Sequence, residues 1–453
     1  MADNTPKSKK GEMHAVPSIT KDFLARILKK DLNSDLEVLN LDVTSALIPG
    51  ENYGSCFSKI TVLVESKEDL LKKGRLYVKS SEEKGLYNIH LVSKTMPTNA
   101  FFIDIFNSPV TFQKESDFYK QLVPAYESLC RKKGIPPVSF FPHCVYCSDG
   151  SDGNNAIILL EDLKSQGYAN EDRQKGVSLP QAKMVLHELA WMHALSVALK
   201  LQEPQTYNEL GPIVAKNFWH GQDRAKISYP MMTNMFDKIK ENLQNVSGLP
   251  AGIMDKIEKS LKNDLSITVE PNPPREPYAS IAHLDLWTNN IMFKCKEHTS
   301  EKVDCHPGCG VETFPFCLKL VDFQTTGIRS PVRDVLFFLY TSVPKAIRSK
   351  HLNEMLEFYC DEFRNALGML GCQTEAKGVT LEWLNNEITE NGAAIINQVL
   401  AMLLVVKADK SEKHAFSISE EELRSGESLN VTSDDYIDET VSAIDDFVSK
   451  GWF

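Results

Sequence analysis

The run His283-Leu284-Asp285-Leu286-Trp287-Thr288-Asn289-Asn290 sets a carboxylate and a carboxamide five residues apart in a polar loop. Downstream, the apolar run Phe316 to Val321 reads as a strand that delivers Asp322-Phe323-Gln324. Hard oxygen donors at this spacing suit phosphoryl transfer to a hydroxyl. One Asp accepts the proton of the attacking hydroxyl. The Asn oxygen and the later Asp hold Mg²⁺, which neutralises the charge of the transferred group. Asp285 is therefore the candidate proton acceptor, with His283 as the other member of the catalytic set, bracing the loop. Asn290 and Asp322 are the candidate metal ligands. Asp and Asn also gather in loops for turn chemistry alone. What favours the catalytic reading is a matching set of elements upstream, in the right order.

Those elements must hold a nucleotide. Pro49-Gly50-Glu51-Asn52-Tyr53-Gly54-Ser55-Cys56 precedes the alternating segment Phe57 to Val64. Small residues such as Gly54 and Ser55 let backbone N–H groups approach phosphate oxygens. An ordinary hairpin turn has the same composition, and the run is neither G-x-G-x-x-G nor a Walker A loop. Tyr87 to Lys94 reads as a strand ending in lysine, and Phe112 to Tyr119 as the start of an amphipathic helix. Lys94 on that strand, paired with Glu115 on that helix, would position the α- and β-phosphates. Ala156 to Leu163 is a buried-type strand followed by charge. The backbone around Glu161 and Leu163 would meet the adenine edge, unless Glu161 and Asp162 are plain strand-exit charges.

Together these pieces resemble the ecdysteroid kinase-like family, which is related to choline kinases and aminoglycoside phosphotransferases. The resemblance rests on Glu51 to Ser55, Lys94, Phe112 to Tyr119, Leu160 to Leu163, Leu189 to Ala194, the His283–Asn290 loop, Asp322-Phe323-Gln324 and Asp334 to Leu339. It implies an α+β, bilobal protein-kinase-like fold, with a small β-rich N-lobe and a larger helical C-lobe. It implies ATP and Mg²⁺ as cofactors and a small-molecule hydroxyl as acceptor, an ecdysteroid or related apolar alcohol first. A choline-like, sugar-like or xenobiotic alcohol is the alternative within enzymes. A catalytically inactive binding protein of the same fold is the alternative outside them. The family usually carries Gly where this chain has Leu284. We expect Leu284 at φ < 0, its side chain turned away from the phosphates. Asp334 is expected to anchor the loop, and His193 to be a core histidine beside it.

With 453 residues the chain can form two lobes around a cleft. Residues 1–16 read as a disordered tail, 17–160 as the N-lobe and 161–453 as the C-lobe, with a helical insert at 202–278. Helical patterns are expected at Ser18 to Lys30, at 112–132 and at Pro180 to Leu201. In the insert, Phe218, Trp219, Tyr229, Met231, Met232, Met235 and Phe236 read mainly as core, part of which would wall the acceptor pocket. A net charge of −11 without a basic stripe disfavours nucleic acid and anionic membranes as partners. The N-terminus has no apolar core of a signal peptide, and Ala393 to Val406 is too short to span a bilayer and reads as a buried helix. A cytoplasmic protein is expected, its ten cysteines mostly reduced. Cys144-Val145-Tyr146-Cys147 is a C-x-x-C without a nearby second pair. Cys295, His298, Cys305, His306, Cys309 and Cys317 match no standard zinc module, and 296–313 read as a polar hairpin tip. The identity of the acceptor and the oligomeric state are open at this point.

Overall fold

The computed structural model describes residues 19–45, 55–73, 76–97, 99–150, 156–214, 222–244, 246, 249–266, 274–295, 316–408 and 431–453. Gly54, the 202–278 residues Phe218 and Trp219, and the Cys/His segment 296–315 lie outside these.

Helix α1 (Lys21–Leu32) opens the chain. It starts three residues later than the pattern suggested, because the Thr20 hydroxyl accepts from the Phe23 N–H at 3.2 Å and caps it. Strands β1 (Glu37–Ser45), β2 (Cys56–Glu65), β3 (Val78–Ser80) and β4 (Leu86–Thr95) follow. Next come helices α2 (Ala100–Ile105) and α3 (Ser108–Asp117), a turn of π-helix over Phe118–Leu122, and α4 (Val123–Lys132). Strands β5 (Cys144–Ser148) and β6 (Ile157–Glu161) complete an antiparallel sheet of order β1-β2-β4-β6-β5, with β3 against the first half of β4. Alternation in β4 turns Ile89 and Leu91 into a core shared with Leu24, Leu28, Ile60 and Val62. The same alternation puts Lys94 on the opposite face, where α3 lies.

The rest is mainly helical. Helix α5 (Leu179–Gln202) is buried on nearly every side from Ala182 to Leu199, so it forms the axis of the second core. Its N-terminus carries a capping box between Ser178 and Gln181. Helices α6 (Pro204–Val214), α7 (Gln222–Leu243) and α8 (Ile253–Ser266) follow within 202–278, and Met235, Phe236, Ile239 and Leu243 join the second core. Strand β7 (Ser280–Ala282) leads into the His283 loop. Strands β8 (Ile291–Cys295) and β9 (Phe316–Leu320) pair antiparallel, and β10 (Gly327–Arg329) pairs back onto β7. Helices α9 (Val332–Ser342), α10 (Lys345–Met369), α11 (Gln373–Gly378), α12 (Leu381–Lys407) and α13 (Asp434–Ser449) close the molecule. The fold is thus α+β, with a sheet-bearing N-terminal part and a helical C-terminal part. Helix α12 is long and apolar enough to cross a membrane by length and composition, and it buries Ile388, Ile395, Ile396, Leu400 and Leu403. It packs on α9, α13 and α8.

Candidate active site

Lys94 is the residue on which the two parts of the molecule meet. Its ammonium, 3% exposed, forms a buried ion pair with Glu115 of α3 and donates to Asp322 Oδ1 at 2.8 Å. The Phe57 ring, directly across the ladder on β2, lies 5.8 Å from the Nζ. Burial opposes the charge on Lys94, but Asp322 and Glu115 hold its pKa above the ordinary lysine value. Both partners sit where the sequence reading put them, although α3 begins at Ser108, four residues before Phe112, with Pro109 in its first turn.

An aromatic cluster keeps α3 against the Asp322 turn. Phe118, in the π-helical turn, stacks on Phe323 with ring centroids 4.0 Å apart. Phe141 and Tyr119 meet the same ring edge-on at 5.3 Å and 6.0 Å. Such pairs add about 0.5–1.5 kcal/mol each beyond area burial, so Phe323 ties the π-helical turn after α3 to the Asp322 turn. Asp322 itself is left-handed, at φ 69°, and its second oxygen accepts from Gln324 Nε2 at 3.2 Å.

Asp334 organises the His283 loop. Fully buried at the start of α9, its carboxylate accepts the backbone N–H of His283 and of Leu284, each at 2.7 Å. His193 of α5 donates to it from Nε2 at 3.1 Å, and the other ring nitrogen meets the Tyr359 hydroxyl at 2.9 Å. Burial would raise the Asp334 pKa, yet the hydrogen bond from His193 and the nearby histidines hold it below the usual carboxylate range. His283 is equally buried. Its Nε2 donates to Val321 O at 3.0 Å, and its Nδ1 accepts the Asp285 N–H at 3.3 Å. One donor and one acceptor describe a neutral imidazole, and burial pushes its pKa down. His283 is therefore a brace between the loop and the strand that delivers Asp322.

Leu284 corrects the sequence reading. Its φ is +65°, in the left-handed region, not negative. Two main-chain bonds impose this conformation: Leu284 N–H to Asp334, and Gln398 Nε2 of α12 to Leu284 O at 2.9 Å. The left-handed form costs an L-residue about 1–2 kcal/mol. The side chain lies against β10, where its Cδ1 is 3.0 Å from the position a Cβ on Gly327 would take. Gly327 thus makes room for Leu284.

Asp285 and Asn290 come together as the spacing suggested. Asn290 Nδ2 donates to Asp285 O at 2.7 Å and to Asp285 Oδ2 at 3.1 Å. A short 3₁₀ turn over Thr288–Asn290 brings the amide back onto the carboxylate. Burial and the neighbouring Asp322 carboxylate push the Asp285 pKa well above the ordinary value. A carboxylate so raised is a stronger base than a free one.

The ecdysteroid kinase-like family matches residues 49–372, most of the chain. The chain belongs to that family. A search of curated proteins returns no match. Membership in the ecdysteroid kinase-like family carries a kinase-like function on small molecules, and with it the general use of ATP.

The donor set fits Mg²⁺. Asp322 keeps 26% side-chain exposure beside Lys94, and the Asn290 amide, engaged through Nδ2, presents its oxygen on the other side. Mg²⁺ is held by one or two protein oxygens plus phosphates, not by a full protein cage. Among the described residues no cluster of three or more His, Cys, Asp or Glu occurs.

The adenine-side residues are placed differently from the rest. The Glu161 carboxylate accepts the His143 N–H at 2.8 Å, Gln166 Nε2 at 2.8 Å and Lys319 Nζ at 3.0 Å. It joins β6 to β9, one strand before Asp322. Leu163 is buried, and its carbonyl accepts from Gln166 and Tyr168, both at 3.1 Å. Ser55 is buried just before β2, whose Phe57 faces Lys94. Gln398, Lys319 and Tyr359 position the site without having been singled out in the sequence. Gln398 had one visible signal, a polar side chain interrupting the apolar run Ala393 to Val406.

Proposed function

We propose that the protein transfers the γ-phosphate of ATP·Mg²⁺ to a hydroxyl of a small apolar alcohol, of which an ecdysteroid is the first candidate. The observation that carries this reading is the convergence of Lys94, Glu115 and Asp322, with the Lys94–Asp322 bond at 2.8 Å, next to the Asp285–Asn290 pair at 3.1 Å. Asp285 accepts the hydroxyl proton as the acceptor oxygen attacks. Lys94, kept charged and aimed by Glu115, steadies the nucleotide phosphates. Asn290 and Asp322 hold Mg²⁺, which supplies charge neutralisation on the transferred group. His283 and Asp334 keep the Asp285 loop in one conformation, so no reorganisation is needed at the moment of reaction.

The test is a γ-phosphate transfer assay on the full chain with a panel of steroids, sugars and amino alcohols. Phosphorylation of steroid hydroxyls ahead of the others supports the reading. Preference for a sugar or an amino alcohol reassigns the acceptor. Tight ATP binding with no transfer to any member, alongside intact Asp285, overturns the catalytic reading in favour of a binding protein.

A further inference from the structure

Two cysteines that this chemistry does not use are brought together on β5. Side chains at i and i+3 of a regular strand point to opposite faces. In β5 the register against β6 shifts between Cys144 and Tyr146, the one-residue offset of a bulge. As a result Val145 and Tyr146 pack into the α1 core, with Tyr146 edge-on to Phe23 at 5.2 Å. Cys144 and Cys147 both turn to the opposite core. The two thiols therefore lie on one face and interact with one another, and both residues remain partly exposed.

The pair rests on the end of α3. Cys147 Sγ donates to Ser116 O at 3.5 Å, and Ser116 follows Glu115 directly. Cys144 Sγ reaches Tyr146 O, also at 3.5 Å. Beyond Ser116 the helix passes into its π-helical turn, Phe118–Leu122, so its regular bonding is already broken there. A thiol donor on the Ser116 carbonyl helps hold this irregular stretch, worth about 0.5–1.5 kcal/mol for an ordinary hydrogen bond and less for sulfur.

We propose that Cys144 and Cys147 are a redox-active dithiol, oxidised to an intrachain disulfide by exchange with a low-molecular-weight disulfide, and that oxidation loosens the end of α3 that carries Glu115. Cys147 is the attacking thiol. The hydrogen bond from Cys144, with Ser116 and Lys120 nearby, holds its pKa below the usual thiol range against the effect of burial. Cys144, whose pKa is pushed up by the neighbouring Cys147 and by burial, acts as the resolving thiol. The Cys147 thiolate attacks one sulfur of the small disulfide, whose S–S bond breaks and releases the first thiolate. Cys144 then loses its proton to solvent and attacks the Cys147 sulfur, forming the intrachain bond and releasing the second thiolate. The protein gives up two electrons and two protons, and the small disulfide becomes two thiols. The product has no S–H, so Ser116 O loses its donor. The effect on nucleotide binding rests on the function proposed above, through Glu115 and Lys94.

The test equilibrates the full chain in graded mixtures of oxidised and reduced glutathione. Each sample is quenched in acid, denatured and alkylated, and the peptide holding both cysteines is weighed. The expected result is one transition to an unalkylated peptide lighter by two hydrogens, absent in Cys144→Ser and in Cys147→Ser. Hydrogen exchange then compares the oxidised and reduced forms without any ligand. Amides of 112–122 should exchange several-fold faster when oxidised. ATP affinity, measured with Mg²⁺, should fall several-fold in the same form. Full alkylation of both cysteines at every ratio, or a glutathione adduct on Cys147 that never resolves, overturns the dithiol. Disulfide formation with unchanged exchange in α3 overturns the coupling. If exchange responds but neither form binds ATP, the dithiol and its coupling stand and the proposed function fails.

Discussion

Replacing Leu284 by Ala and by Gly separates its backbone from its side chain. Both variants lose the same contact with β10, so the lost burial cancels between them. They differ in how each residue bears φ +65°. Ala keeps the left-handed penalty of about 1–2 kcal/mol, which Gly escapes. Against that, Gly gives the unfolded chain more freedom, worth roughly 0.5–1 kcal/mol. The difference leaves Leu284→Gly more stable than Leu284→Ala by about 0.5–1 kcal/mol. At a negative φ the order is reversed, with Ala ahead by a similar amount. A thermal melt followed by circular dichroism reads this as a gap of roughly 0.5–1 °C. Activity should stay within about tenfold of wild type in Leu284→Gly, or about 1.4 kcal/mol of barrier. The reason is that Leu284 holds Asp334 and Gln398 through main-chain atoms that both variants keep. A melt in which Leu284→Ala is the more stable variant refutes the left-handed assignment and the argument built on it.

Asp285→Asn should keep nucleotide binding but slow turnover by about 10²–10⁴-fold, the usual worth of general-base catalysis; steady-state kinetics beside calorimetric ATP binding decides it. In Asp322→Ala, nucleotide affinity should lose its dependence on Mg²⁺, and a titration identical to wild type would remove Asp322 from the metal site. Lys94→Ala and Glu115→Ala should each be severe, since breaking a buried pair costs about 3–5 kcal/mol, and the double variant should be far less than additive. Additive losses in that cycle would mean the two side chains act independently. Lys114, buried beside Arg329, has its pKa lowered to about 8, chiefly by burial. Between pH 8 and the ordinary lysine value the unfolded chain binds more protons, so stability rises with pH there. Lys114→Met should therefore stabilise the protein at pH 7, by up to about 3 kcal/mol, and the gain should shrink steadily in melts from pH 8 to 10.

The sequence exposed the site where chemistry forces residue types, and lost it where main-chain geometry decides. Asp285, Asn290 and Asp322 stood out because a loop with that spacing is followed by a strand ending in Asp322 and preceded by a matching order of elements. The pairing of Lys94 with Glu115 followed from strand-then-helix order, and the two side chains do meet in a buried ion pair. Leu284 was misread because its φ is set by two partners distant in sequence, Asp334 and Gln398, and no local preference of leucine reports them. Glu161 had a different difficulty. A charge at a strand exit looks the same whether it faces a ligand, solvent or a buried lysine, and here it meets Lys319 at 3.0 Å. The start of α3 was placed late because Ser108 and Pro109 carry no apolar period, although Pro in a first turn is itself a start signal. The thiol pair was visible as C-x-x-C, but only the bulge in β5 puts both sulfurs on one face.

The charges in the cleft do not balance, and this constrains how a nucleotide binds. Lys94 is shared by Glu115 and Asp322, while burial and the Asp322 carboxylate both disfavour ionisation of Asp285. One ammonium thus faces three carboxyl groups. A triphosphate arriving alone would add negative charge to a region already short of cations, in surroundings that screen poorly. Lys94 cannot compensate by itself, since its charge is already committed to Glu115. Divalent cations held by Asp322 and Asn290 would supply the missing positive charge, and would leave Lys94 to the phosphates. Nucleotide and Mg²⁺ should therefore bind as one cooperative unit, each weakly without the other. Asp322 also helps raise the pKa of Asp285, so under the proposed function one carboxylate would act on both the metal site and the proton acceptor.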